Sequence, residues 1–243
     1  MKRILAMMAA VAVLLAVSYV QASPQFPDKG WHKGPYVLAN VGMMQVTNDK
    51  HVITERNFGG TFDPSFGITF GWDIADWIGP MLQINYATST GSVGTAGAVT
   101  KDGFTFPAGT FPVQSGVREH AVNFSLFAKA THPYFTSASW QPKMVKIIPY
   151  VKLGGTGNFV YVNASNDNNK AGAYGGGIGM GGGCEFFIWK GLVVALDVTE
   201  NLIFQQAYSR TITDSTGTPR KMNLTPTGMQ PQFNLQGLIG WHF

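Results

Sequence analysis

The chain has 243 residues, a formal net charge of +4 and only 12% charged residues, with 30 Gly and a single Cys. So low a charge share, about half that of soluble domains, argues against a nucleic-acid binder, as does the lack of basic runs interleaved with aromatics. One cysteine, Cys184, excludes an internal disulfide.

Residues 1–22 read as a cleaved signal peptide. The basic head Met1-Lys2-Arg3 precedes the apolar run 4–20, and Val20-Gln21-Ala22 places the small residue Ala22 before Ser23. At 17 residues the run is at the lower limit for spanning roughly 30 Å of hydrocarbon. No Cys sits at the cut, so a lipid-anchored lipoprotein is not expected. Losing Lys2 and Arg3 lowers the net charge from +4 to +2, so part of the basicity belongs to the leader. Nothing downstream offers 18 consecutive apolar residues, and residues 23–243 are expected to form one domain.

Eight segments then alternate with a period of two, the mark of a strand with unlike faces. Segment 36–46 sets Val37, Ala39, Val41 and Met43 against Asn40 and Gly42. Segment 65–75 sets Phe66, Ile68, Phe70 and Trp72 against Gly67, Thr69, Gly71 and Asp73. In 80–89, Leu82, Ile84 and Tyr86 oppose Gln83 and Asn85. In 118–129, Val122, Phe124, Leu126 and Ala128 oppose Asn123, Ser125 and Lys129, with Phe127 breaking the rule on the polar face. Segment 147–157 opposes Val151 and Leu153 to Lys152 and Thr156. Segment 173–187 opposes Ile178, Met180, Cys184 and Phe186 to a row of Gly leading into Glu185. Segment 192–202 opposes Leu192, Val194, Leu196 and Val198 to Asp197 and Thr199. The last, 233–243, carries Phe233, Leu235, Ile239, Trp241 and Phe243 on one face and Asn234, Gln236 and His242 on the other. Segments of about ten such residues in series predict a closed antiparallel transmembrane β-barrel, all-β, most simply of eight strands.

Connection lengths support this. Links 47–64, 90–117, 158–172 and 203–231 are long, whereas 76–79 and 188–191 are turn-sized, the asymmetry of outer loops and inner turns. The link 130–146, with Pro133, Trp140 and Pro142, is too long for a turn; a short helix or overhanging strand ends would fill it, and ten strands stay possible. Trp72, Trp77, Trp189, Trp241 and Phe243 fall at inner ends, and Phe66, Tyr86, Phe204 and Phe233 at outer ends, as two interfacial belts require.

The closing strand, with Trp241 and a final Phe243, resembles that of bacterial outer-membrane barrels, where the terminal aromatic is read by the assembly machinery. Gly34-Pro-Tyr-Val-Leu-Ala-Asn-Val-Gly42, Tyr150-Val-Lys-Leu-Gly-Gly155, Gly183-Cys-Glu-Phe-Phe187, Val194-Ala-Leu-Asp-Val198 and Gly240-Trp-His-Phe243 are similar to the OmpA-like family of small outer-membrane barrels. OmpW-like barrels are of similar size. The resemblance spans residues 34–243 and implies the outer membrane of a Gram-negative cell, with outer-membrane lipid, lipopolysaccharide, periplasmic chaperones and the barrel-assembly machinery as partners. The family's peptidoglycan-binding domain has no counterpart here, so cell-wall tethering is not carried over.

Six charged or titratable residues share the lumen parity: Asp73, Lys129, Lys152, Glu185, Asp197 and His242. All fall in the inner half or near the middle, where an eight-stranded interior is just wide enough for side chains to fill. They are expected to pair into a plug, with a gate for ions or protons as the rival reading; Glu185 is the expected partner of Lys152. Gly177 to Gly182 spell G-x-G-x-x-G, but no helix follows, so a nucleotide site is not expected. The Gly154–Gly157 stretch facing it suggests either lumen room or close packing against Tyr150 and Phe187. Cys184 reads as a small lipid-facing residue. Catalysis would draw on His120, His132, Ser125 and Ser137, but Ser125 and His120 have opposite parity. His32, His51 and His242 lack metal-ligand spacing. The expectation is a non-enzymatic barrel without cofactor or metal, with a structural and surface-interaction role through its long loops. A narrow channel for small or apolar solutes is the second reading, a lipid A-modifying barrel the third. The loops carry no motif that names a ligand.

Overall fold

A computed structural model describes residues 32–45, 55–57, 62–75, 77–137, 145–189, 191–206, 208–224 and 227–243. The leader and His51 lie outside them. In chain order the elements are β1 (Gly34–Gln45), β2 (Glu55–Asn57), β3 (Phe62–Asp73), β4 (Ile78–Gly94), β5 (Val99–Lys101), β6 (Phe104–Phe106) and β7 (Gln114–Ala130). Helix α1 (Pro133–Ser137) follows, then β8 (Lys146–Asn163), β9 (Ala171–Trp189), β10 (Leu192–Gln206), β11 (Ser209–Thr213), β12 (Pro219–Asn223) and β13 (Gly228–His242).

Eight long strands close on themselves in the order β1-β3-β4-β7-β8-β9-β10-β13, and β13 pairs back with β1, for example Leu38 with Gly240 and Asn40 with Leu238. Every ladder is antiparallel. Closure is what lipid demands, because hydrocarbon offers no partner to an open sheet edge. No helix among the described residues is long and apolar enough to cross a membrane. The ten-strand alternative is set aside because eight strands already close the wall, and the described part of the β7–β8 link holds the short helix α1 that begins at Pro133.

The predicted two-residue alternation of inward and outward side chains holds on every wall, although Glu200 of β10 is a charged residue at outward parity between Val198 and Leu202. In β10, Leu196 is 58% exposed outward while Asp197 is fully buried in the lumen. Phe127, which the alternation marked as out of place, does turn inward and is 2% exposed, joined on the lumen side by Leu38, Met81, Ile148, Val193 and Leu238. Trp72, Trp77, Trp241 and Phe243 ring the inner end, and Phe66, Tyr86, Phe159, Tyr174 and Phe204 the outer end. From Trp241 to Phe233, eight residues rise about 27 Å along the strand, or roughly 20 Å along the normal at a 40° tilt, close to an apolar band of about 25 Å.

The strands run further outward than the alternation alone marks. β8 reaches Asn163 and β9 begins at Ala171, so the predicted loop 158–172 shrinks to a short turn with a 3₁₀ segment at Asp167–Asn169. In these ends Val160, Val162, Ala171 and Ala173 turn into the lumen while Tyr161 and Asn163 face out, so the apolar-out, polar-in pattern fades although the ladder continues.

Candidate functional site

Seven strands deliver side chains to one layer of the lumen in its inner half. Asp73 ends β3, Gln83 is on β4, Lys129 sits near the end of β7, Tyr150 and Lys152 are on β8, Glu185 on β9, Asp197 on β10 and His242 on β13. All six predicted lumen residues are buried. They form two groups. Lys129 Nζ donates to Asp73 Oδ2 at 2.8 Å and to Glu185 Oε1 at 3.0 Å, and His242 Nε2 lies 3.3 Å from Asp73 Oδ2. Above them, Lys152 Nζ donates to Asp197 Oδ1 at 2.6 Å and to Gln83 Oε1 at 2.8 Å. Tyr150 donates its hydroxyl to Asp197 Oδ2 at 2.5 Å, and its ring lies 5.6 Å from the Lys129 ammonium, tying the two groups together. Buried charges survive only when paired and hydrogen-bonded, and each of these is.

The expected Lys152–Glu185 pair is therefore corrected: Lys152 holds Asp197, and Glu185 holds Lys129. The register explains why. Lys152 stands opposite Gly181 of β9, and Asp197 of β10 stands opposite Gly183. Bare glycines let the lysine reach across a whole strand to the next one. Glu185 lies lower, level with Lys129. The glycine row also seats aromatic rings. A Cβ at Gly183 would fall 2.6 Å from Tyr150 Oη, and one at Gly179 would fall 2.8 Å from the Phe127 ring. Close packing, not spare lumen room, is what the row provides. The Lys152 ammonium in turn lies 4.7 Å from the Phe127 centroid, a cation–π contact that accounts for an aromatic on the polar face.

Toward the outer end the lumen is lined by amides and hydroxyls. Asn40 donates to Asn85 at 3.0 Å, Asn123 to Gln232 at 2.7 Å, Asn158 to Asn123 at 2.7 Å, and Ser125 shares a 2.8 Å bond with Thr156. Sequence parity marked Asn40, Asn85 and Asn123 as inward; which of them bond across the lumen was not readable.

Above the barrel is a feature the sequence reading missed. The hairpins β5–β6 and β11–β12 share an apolar cluster of Phe106, Phe111, Ile212, Met222 and Leu224, with Tyr208 packed against it. The same Tyr208 packs on Val93, Val117, Val162, Ala164 and Ala171 at the barrel's outer rim. Ser215 N–H donates to Thr105 O at 2.8 Å, Asn169 Nδ2 to Pro112 O at 2.6 Å, and the Arg220 guanidinium lies 4.1 Å from the Phe104 centroid. The described parts of the β4–β7 and β10–β13 loops, with the β8–β9 turn, thus form a packed cap. Its signal in the sequence was faint: the alternation Arg210-Thr-Ile-Thr213 and Lys221-Met-Asn-Leu224 is too short to stand out. In the β11–β12 turn, Asp214 Oδ1 accepts from the Thr216 hydroxyl and from the backbone N–H groups of Thr216 and Thr218, and Oδ2 accepts from Arg220. The Thr216 hydroxyl above all, then the Thr218 N–H and Arg220, hold this carboxyl well below the usual range.

The catalytic candidates do not converge. His120 is on the outer wall, hydrogen-bonded through Nδ1 to Tyr86 Oη at 2.6 Å, while Ser125 is inside the lumen. His132 sits in the inner link, where its Nδ1 accepts from Tyr134 N–H at 3.2 Å. No group of three potential metal ligands occurs among the described residues. Trp241 and Phe243 lie on the lipid-facing inner rim, Phe243 at 70% exposure.

Fold and lumen together define a closed eight-stranded antiparallel barrel with a largely apolar outward face and a filled inner lumen. No family model matches the sequence, and no curated protein matches it. Among solved structures it is similar to Neisserial surface protein A (13% identity, TM-score 0.49, covering 86% of this chain and 97% of that one). It is similar also to OprG of Pseudomonas aeruginosa (14%, 0.48, 87% and 98%) and to a major outer-membrane protein of Thermus thermophilus (16%, 0.47, 86% and 98%). At these identities the likeness concerns architecture, and the functional reading rests on this chain's own residues.

Proposed function

We propose that this protein is a non-catalytic barrel of the bacterial outer membrane whose lumen is held shut and whose contribution to the envelope is made at its outer surface. The observation that carries the reading is the pair of ion-pair groups that, with Gln83 and His242, bridge seven strands across the lumen. The packed cap supports the surface role, because a pre-ordered platform loses little conformational entropy when a partner binds. Residues 1–22 are proposed as the leader, and Trp241 and Phe243 as the signal read during assembly. A narrow channel is the second reading. The lumen amides favour it, since Asn201 and Gln236 are buried there without protein partners.

Hydrogen exchange on the bilayer-embedded protein tests the platform. Amides of β5–β6 and β11–β12 should be protected at neutral pH, and Asp214→Ala should remove protection from β11–β12 first. Because Asp214 titrates lower in the folded hairpin than in an unfolded one (about 3.9), its contribution is complete above that value and is lost as the pH falls through and below it. Protection factors in this hairpin should therefore begin to drop below roughly pH 5 and keep falling down to the most acidic pH measured. Exchange at the rate of free loops at neutral pH would remove the platform from the account.

A further inference from the structure

The outer wall of β4, β7, β8 and β9 carries two unlike surfaces, one above the other with an aromatic row between. The cross-strand register sets out the rows. Outermost, Thr90, Arg118 and Asn163 stand side by side, and Lys170, preceding the Ala171–Val162 pair, comes next on the β9 side. One step inward are Thr88, His120, Tyr161 and Gly172, and below them the aromatic row Tyr86, Val122, Phe159 and Tyr174. Arg118 is exposed and makes no ion pair among the described residues. Its sequence neighbour Glu119 turns into the lumen. Lys170 bonds Asp167 at 2.6 Å, but Asp167 also meets Arg210 at 3.9 Å, so this corner retains net positive charge. At about 4.8 Å per strand, Arg118 and Lys170 stand roughly 10 Å apart with Asn163 between them.

Beneath the aromatic row the wall loses its side chains. Gly157 pairs with Gly176, and Gly155 lies one step further in, opposite Ile178. A Cβ on Gly155 would meet nothing within 4 Å, and those on Gly157 and Gly176 nothing nearer than 3.8 and 3.7 Å. Phe124, Leu126 and Phe159 stand out from the wall beside this notch. A cationic row at headgroup height above a bare notch at acyl-chain height, with the aromatic row between them, is a surface for one amphiphile.

We propose that this wall is a specific seat for a phosphorylated membrane lipid. Arg118 and Lys170 take the headgroup phosphate, with Asn163 and Tyr161 donating hydrogen bonds, and an acyl chain lies in the notch at Gly155, Gly157 and Gly176. Charge-assisted bonds to phosphate are the strong ones, and Arg matches phosphate with a rigid fork. A soluble polyanion would use the row and leave the notch idle; a second copy of the chain would use the notch and leave the cations unmatched. The inference rests on the outer-membrane reading above.

The test places the mature barrel in phosphatidylcholine nanodiscs doped with diphosphorylated lipid A and counts the lipids retained by native mass spectrometry. Wild type should retain lipid A well above its bulk share, and dephosphorylated lipid A should not be enriched. Arg118→Gln with Lys170→Gln should weaken retention about tenfold, equivalent to about 1.4 kcal/mol. Gly157→Leu, which fills the notch without touching the phosphate row, should weaken it several-fold. Equal retention by wild type and the double variant, or equal retention of the dephosphorylated lipid, overturns the proposal, as does a chain dimer in place of bound lipid. The heat-dependent gel shift of a folded barrel is read on every sample. A normal shift with no lipid selectivity removes this seat alone, whereas failure to insert removes the barrel reading itself.

Discussion

Replacing Lys152 with Met should destabilise the barrel by about 3–5 kcal/mol, the usual cost of removing one partner from a buried ion pair. The substitution keeps most of the side-chain volume, so packing beside Phe127 survives. What changes is Asp197, left fully buried with its charge held only by the Tyr150 and Thr199 hydroxyls. Urea titration of the folded protein in lipid gives the magnitude, and a double-mutant cycle gives the partner. Lys152→Met combined with Asp197→Leu should recover part of the loss, with a coupling above roughly 1 kcal/mol, as contacting residues show. Lys152→Met combined with Glu185→Gln should be close to additive, since Glu185 spends its hydrogen bonds on Lys129. Strong coupling to Glu185 and none to Asp197 would mean that the register between β8, β9 and β10 is wrong.

Leu196→Arg is the second large effect expected. The side chain points to lipid near the middle of the apolar band, where Arg costs about 2–4 kcal/mol in a barrel wall. Its neighbour Ala195 faces the lumen, packed among Phe127, Tyr150 and Leu238, so Arg there should fail through overcrowding. Leu196→Phe separates the two causes: it should be tolerated, whereas any large residue at 195 should lower the folded yield. If Arg is accepted at 196 as readily as Phe, that wall does not face hydrocarbon.

The barrel was legible because lipid on one side and a crowded lumen on the other impose a period of two on every strand, and one slip would expose a whole face. Parity alone placed Asp73, Lys129, Lys152, Glu185, Asp197 and His242 inside. Parity does not say which charge meets which, because pairing depends on stagger between strands and on what the intervening strand carries. Gly181 and Gly183 decided the Lys152 partner by leaving room above β9, and in the sequence they stand in and just beyond the run Gly177 to Gly182 that spells a G-x-G-x-x-G. The outer strand ends and the cap were hidden for a related reason. Once the chain leaves the bilayer, its outward residues become Thr, Asn and Lys, and short apolar positions such as Ile212 and Met222 find each other only in three dimensions.

Closure of the lumen is the central claim, and electrical conductance across planar bilayers tests it most directly. Purified wild-type barrel should show little or no steady conductance, and Lys152→Met should flicker open as Asp197 loses its counter-ion. A large, stable wild-type conductance, unchanged by substitutions at Lys129, Lys152, Glu185 or Asp197, would contradict the plug and leave the channel reading in its place.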